Sequence, residues 1–325
     1  MSVVQLSQIT EISGATTSPR GPHIWAIASG KGGVGKSFIS SSLGLALSKH
    51  GKRVVLVDLD LGGANLHTCL GLANPEHTLS DYVSGKCANI NDIVVDMPEA
   101  NVGIISGAGD GLDIANLKHY QKLKILRNLK RIQADYVVLD LGAGTSFNTL
   151  DFFIQAERGI IPVVPDPTSI ENTYRFLKCV MTRKLRGAPR QTRKLMSKIL
   201  TLRHGESRKI RTLASFMATM QQRHPDHARL LQGELENQQL HLIVNQVLEP
   251  ADTDLGLSMT TACLKYFGQK IHYLGHLNHD RQVITASRQR RPFLMTFPQS
   301  RAAIYIEHMA AALLDQDNPG SQSRP

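Results

Sequence analysis

Several things are scarce in this 325-residue chain, and each scarcity removes a class of protein. There are only four cysteines (Cys69, Cys87, Cys179 and Cys263), and no two form a C-x-x-C pair. That spacing excludes a zinc ribbon or a cysteine-ligated cluster built within one chain, and it fits a reducing compartment. No apolar run approaches the roughly 20 residues that a membrane helix requires. The start, MSVVQLSQITEISG, has no basic stretch leading into an apolar one, so no secretory signal is expected and the location reads as cytoplasmic. No repeat of 20–50 residues is visible, which argues against a solenoid or propeller. His272, His276 and His279 lie close in sequence, but they follow a strand into a loop, where no helical face gathers them, and no metal site is expected there.

Acid is scarce in one place only. Between Arg183 and Leu230 there are 13 Lys and Arg against two acids, Glu206 and Asp226, a net charge of +11. The whole chain carries +10, so the remainder is close to neutral at −1. A near-neutral body with one basic segment differs from a uniformly basic protein. Apolar and polar residues at three- and four-residue spacing make a helical insertion the expected form of 183–236. That segment could be a solvated face, a contact for an acidic protein, or a sequence-independent contact for DNA or anionic lipid.

What is present is an alternation of short apolar strands and amphipathic helices. Strands are predicted at 23–29, 53–58, 102–106, 135–140, 159–165 and 240–246, with a weaker candidate at 270–274. Helices are predicted at 36–50, along 117–132, and at 300–314. Strands without polar alternation are buried on both faces, so the predicted fold is α/β: a doubly wound, mainly parallel sheet with helices on both sides. Residues 1–22 read as a flexible lead-in, 23–315 as one domain, and 316–325 as a polar tail.

Gly30-Lys31-Gly32-Gly33-Val34-Gly35-Lys36-Ser37 fits the phosphate-loop pattern G-x-x-x-x-G-K-[ST] in its proper place between strand and helix. Glycines let successive backbone N–H groups converge on one anion, and the helix N-terminus adds favourable partial charge. Lys36 is placed to reach the β- and γ-phosphates, and the Ser37 hydroxyl to ligate Mg²⁺. Two strands run into acids, Asp58-Leu59-Asp60 and Asp140-Leu141-Gly142. Asp140 fits the acid that holds Mg²⁺ through water, Gly142 suits close approach to a γ-phosphate, and Asp60 could reach the attacking water. Lys31 is a second loop lysine, either solvated or available to a nucleotide on a facing subunit.

Together these residues resemble the MinD/ParA family of deviant Walker A ATPases, whose signature is the KGGVGK[ST] loop. DLDLGGANLH at 58–67, DYVVLDLGAGTS at 135–146, VVPDPTS at 163–169 and LIVNQV around Asn245 are most similar to its flagellar-number branch, FlhG/FleN. The resemblance implies a nucleotide site formed by Gly30 to Phe38 with Gly142, and an adenine contact at Asn245. It also implies a role for Lys31 across an ATP-dependent homodimer, slow hydrolysis, and a regulatory protein partner. The expected function is a switch for flagellar number or placement. The alternative is a ParA-like positioning ATPase that rides on DNA through its basic insertion. Three features depart from the family: Asn278 replaces the usual proline near the base, 1–22 lack the DQAxxLR helix, and the end lacks a basic amphipathic anchor.

Overall fold

The computed structural model describes residues 21–317 except 61, 62, 64, 74, 108–116 and 202–211. Nearly all of the predicted lead-in and most of the predicted tail lie outside the described residues. So do Arg203, Arg208, Lys209 and Arg211 of the basic segment.

Eight strands form one sheet in the order β3-β4-β2-β5-β1-β6-β7-β8. They are β1 (His23–Ile27), β2 (Val54–Leu59), β3 (Val95–Asp96), β4 (Val102–Ile105), β5 (Tyr136–Leu141), β6 (Arg158–Val163), β7 (Gln239–Val247) and β8 (His272–Asn278). All pairs are parallel except β3 with β4. Strands β2, β4, β5 and β6 are buried at every position, as their unalternating apolar sequences predict. Alternate residues feed two cores. Ile24 and Ala26 of β1 face one, Trp25 and Ile27 the other.

The Trp25 side is covered by α1 (Lys36–Lys49), α2 (Leu66–Cys69), α11 (Arg281–Arg288), α12 (Phe293–Thr296) and α13 (Arg301–Asp317). The Ile24 side is covered by α3 (Leu79–Ser84), α4 (His119–Leu129), α5 (Phe147–Gln155), α6 (Pro167–Arg186), α8 (Leu213–Arg223), α9 (Pro225–Glu236) and α10 (Leu255–Phe267). The remaining helix, α7 (Arg190–Thr201), follows α6. Gly44 lets α1 lie close on the sheet, since a Cβ there would sit 2.7 Å from Leu56.

The structure adjusts three sequence expectations. The described residues of the basic insertion are largely helical, but they are not all a solvated face. Phe216, Met220, Ala228, Leu231 and Leu235 are buried in the Ile24-side core, because α8 and α9 each carry an apolar stripe. Arg183 and Lys184 belong to α6 and are not free charges. Arg183 pairs with Asp151, and Lys184 Nζ donates to Leu235 O and the Asn237 side chain, both at 3.1 Å. Finally, α13 runs to Asp317, two residues into the stretch read as tail.

That extension completes a buried polar cluster. Arg158 is 2% exposed, pairs with Asp317, donates to Gln316 at 2.7 Å and lies over the Trp25 ring. His241, fully buried, has Nε2 at 3.3 Å from Arg158 Nη1, stacks on His272, and leaves Nδ1 without a partner. Burial, reinforced by the Arg158 charge, pushes the His241 pKa down to about 3. The folded protein thus resists a proton that the unfolded chain accepts near 6.5. Stability should fall as pH drops from about 6.5 towards 3, by about 2 kcal/mol at pH 5. Urea titrations across that range check it, and His241→Gln should flatten the slope.

Candidate functional site

The phosphate loop connects β1 to α1 at the C-terminal edge of the sheet, where parallel strands present ligands. Gly33 and Gly35 hold φ of 79° and 91°, a region that disfavours side chains. Gly30 is required for a different reason. A Cβ there would fall 2.1 Å from the Asn172 carbonyl oxygen of α6. A Cβ at Gly32 or Gly33 would meet nothing within 4 Å, so the loop leaves an open cradle on that side. Ser29 Oγ donates to Lys31 O at 2.7 Å, and Gly144 N donates to Ser29 O at 2.9 Å, so the loop is braced from both sides.

Lys36 is 8% exposed at the start of α1. Ser37 and Ser40 donate to the Asp140 carboxylate, Ser40 at 2.9 Å. Burial pushes the Asp140 carboxyl up to about 6, against the pull of those hydroxyls and of Lys36. Asp58 pairs in register with Asp140 on the adjacent strand. Burial, reinforced by the Asp140 charge, pushes it up to about 7. A divalent cation beside Ser37 and Asp140 would relieve two desolvated carboxylates, so the donor set fits Mg²⁺.

Asp58 has a task that the sequence alone does not reveal. Its Oδ1 accepts from Asp60 N at 3.1 Å and its Oδ2 from Leu66 N at 3.0 Å. It therefore ties down both ends of the segment that carries Asp60. The Asp60 carboxylate lies against Gly142, where a Cβ would be 3.1 Å from Oδ1. Asp60, Gly142 and Asp140 thus meet at one edge beside the loop.

Lys31 lies at the rim, and its Nζ donates to Thr168 Oγ1 at 2.6 Å and to Asp166 Oδ2 at 3.1 Å. Asp166 caps α6 by accepting from Ser169 N at 3.0 Å. Thr168, Ser169 and Lys31 hold its carboxyl down at about 2. The cap is legible in Asp166-Pro167, but its pairing with a residue 135 positions away is not.

Other predicted residues take structural places. Asn245 is buried and its Nδ2 donates to Val34 O at 2.8 Å, while Gln246, at φ 57°, donates to Gly33 O at 3.2 Å. Asn245 therefore braces the loop. Val34 is buried, and Phe38 packs edge-on against Phe293 at 5.2 Å. Asn278 ends β8, exposed, and the following residues turn into α11, which Asp280 caps. Among the described residues no group of three or more His, Cys, Asp or Glu is placed to hold a metal, and no helix is long and apolar enough to cross a membrane.

A loop cradle at a sheet edge, a buried lysine followed by a half-buried serine, and an acid at the end of the neighbouring strand define a P-loop nucleotide-binding protein. Residues 25–293 match the CobQ/CobB/MinD/ParA nucleotide binding domain, and the chain belongs to that family. It is 27% identical to the antiactivator FleN of Pseudomonas aeruginosa over 290 residues, 89% of this chain and 85% of that one. It is 32% identical to the septum site-determining protein MinD of Helicobacter pylori over 46% of this chain and 56% of that protein. Among solved structures it resembles MinD of Pyrococcus horikoshii, complexed with Mg-ADP, at TM-score 0.62 and 19% identity, covering 93% of this chain and all of that one. A ParA family ATPase of Chlorobium tepidum superposes at TM-score 0.61 and 15% identity, covering 90% and 99%. These likenesses show the fold.

Proposed function

We propose that this protein is an ATP-dependent dimerisation switch that hydrolyses ATP slowly and acts on flagellar number or placement through a protein partner. One observation carries the reading: the loop holds two lysines in opposite settings. Lys36 is buried towards its own cradle. Lys31 stands half-exposed at the rim, on α6 rather than in the cradle. A lysine spent outside its own site is available to a nucleotide on a facing copy. The likeness to FleN over most of both chains supports the flagellar reading.

In this mechanism the loop amides and Lys36 bind the phosphates. Ser37 and Asp140 would hold Mg²⁺. Asp60, fixed by Asp58, orients the attacking water. Bound Mg²⁺ supplies charge neutralisation at the phosphates. Asn245 would provide the adenine contact. ATP favours the dimer only as far as it binds that state more tightly. Sedimentation with ATP and Mg²⁺ tests the reading. Wild type and Asp60→Ala should dimerise, Lys31→Ala should not, and monomers throughout would refute the switch.

The Asp166–Lys31 tie competes with the contact across subunits. Asp166→Asn keeps the α6 cap while removing the negative charge. It should raise the dimer fraction at limiting ATP by about two- to fivefold, the modest effect expected of a half-exposed pair. The same sedimentation assay reads it, and an unchanged fraction would show that the tie does not limit assembly.

A DNA-riding role has one supporting observation. On α6 and α7, Arg186, Arg190, Arg193 and Lys194 are exposed. Binding of random-sequence duplex as a function of salt separates the two readings.

A further inference from the structure

Helix α11 ends in an uncommon way. Arg290 N donates to Ser287 O at 3.1 Å and Arg291 N to Ala286 O at 3.0 Å, the paired bonds that usually close a helix on a left-handed glycine. Here the left-handed residue is Arg290, with φ 50°. A turn alone would be better served by glycine, so an arginine side chain is kept at this point against the backbone's preference. Arg288 and Arg291 stand beside it. All three are exposed and, among the described residues, form no ion pair.

Arg290 and Arg291 line a recess of about 750 Å³. Its walls are the turn after α2 (Leu70 to Leu72), the β3–β4 turn (Met97 to Glu99) and residues 289–296. One wall leads to the nucleotide site. Gly71, at φ 70°, lies so close to this turn that a Cβ would sit 2.7 Å from Arg290 O. Gly71 follows α2, whose first residue, Leu66, is held by Asp58. The arginine turn therefore rests on the segment whose other end carries Asp60.

We propose that this recess is the docking site for an acidic peptide segment of a regulatory protein, and that its occupation bears on the Asp58–Leu66 segment. This rests on the switch reading above and names the chemistry of its partner. Arginine forks match carboxylates in two-point contact, and a recess of this size admits a neighbouring side chain. Glu99 is the one acid among the lining residues and would repel a carboxylate placed beside it. Duplex DNA and a bilayer are too broad to enter a recess. Three charges within four residues also match a short acidic run better than phosphates spread along a duplex.

The test uses the full chain and a fluorescent Glu-rich peptide carrying one leucine. Because α7 is basic as well, the background is Arg190→Gln/Arg193→Gln/Lys194→Gln. Adding Arg290→Gly and Arg291→Ala should weaken peptide binding about tenfold. The melting temperature should hold, since glycine suits the left-handed turn. Hydrogen exchange should slow on peptide addition in both 286–292 and 66–73. Unchanged peptide affinity in the arginine variant overturns the proposal. So does loss of duplex DNA or anionic vesicle binding in its place. ATP-dependent dimerisation is measured on the same samples. If wild type does not dimerise, the switch reading fails by itself; if it dimerises and the peptide ignores the arginines, only the docking site fails.

Discussion

Replacing Lys36 with alanine should lower kcat for ATP hydrolysis by about two to three orders of magnitude. The lysine is buried at the first turn of α1, beside the Ser37–Asp140–Ser40 contacts, so its charge acts where water screens little. Phosphoryl transfer offers a protein little covalent chemistry, so a fixed positive charge at the γ-phosphate accounts for much of the rate. The loop amides survive the substitution, so nucleotide affinity should fall less than turnover. Phosphate release and nucleotide fluorescence on one preparation separate the two effects. Lys31→Ala gives the contrasting result: near-normal nucleotide binding by the single chain, with no dimer. If the two variants behave alike, the division of labour between the lysines is wrong.

Gly30→Ala should damage the fold as well as the site. Its Cβ would fall 2.1 Å from a backbone oxygen of α6, which cannot rotate away like a side chain. Either the loop or α6 must shift. Overpacking of this kind costs about 3 kcal/mol, or roughly 5 °C in melting temperature for a domain of this size. Lys31 and its α6 partners Asp166 and Thr168 would lose register together. Gly32→Ala is the control, since a methyl there meets nothing within 4 Å. It should keep its melting temperature while crowding the phosphates. Thermal melts with and without nucleotide read both variants, and equal melting temperatures would show that the loop–helix contact gives way cheaply.

These glycines show what the sequence carries and what it does not. The pattern Gly30 to Ser37 marks the loop because phosphate binding constrains neighbouring residues. It does not say that Gly30 is reserved for α6, Gly33 for its backbone angle, and Gly35 for both its angle and the closeness of Asn245. The strands were legible because parallel strands buried on both faces leave continuous apolar runs. The two-residue β3 leaves no such trace, and β8 had only a weak one. Asp140 was legible as an acid ending a strand. The work of Asp58 was not, because its partners are backbone amides whose positions exist only after the segment folds back. The pairing of Lys31 with Asp166 joins residues far apart in sequence and needs the order β5-β1-β6 to bring them together. The basic insertion misled for a related reason: charge counts cannot see that α8 and α9 turn apolar stripes into the core.

The contacts of α13 with Arg158 have a consequence for how the chain is made. Arg158 lies near the middle of the sequence, on a strand buried at every position, and its carboxylate partner is Asp317. Synthesis delivers the arginine long before the aspartate. Until α13 has been made, a sheet that closed over Arg158 would bury an unpaired charge, a penalty of about 3–5 kcal/mol. The nucleotide loop, made well before α13, thus sits in a sheet that cannot settle until that helix arrives. A product that stops before Asp317 carries its own mark of incompleteness, open to the proteases that survey unfinished chains.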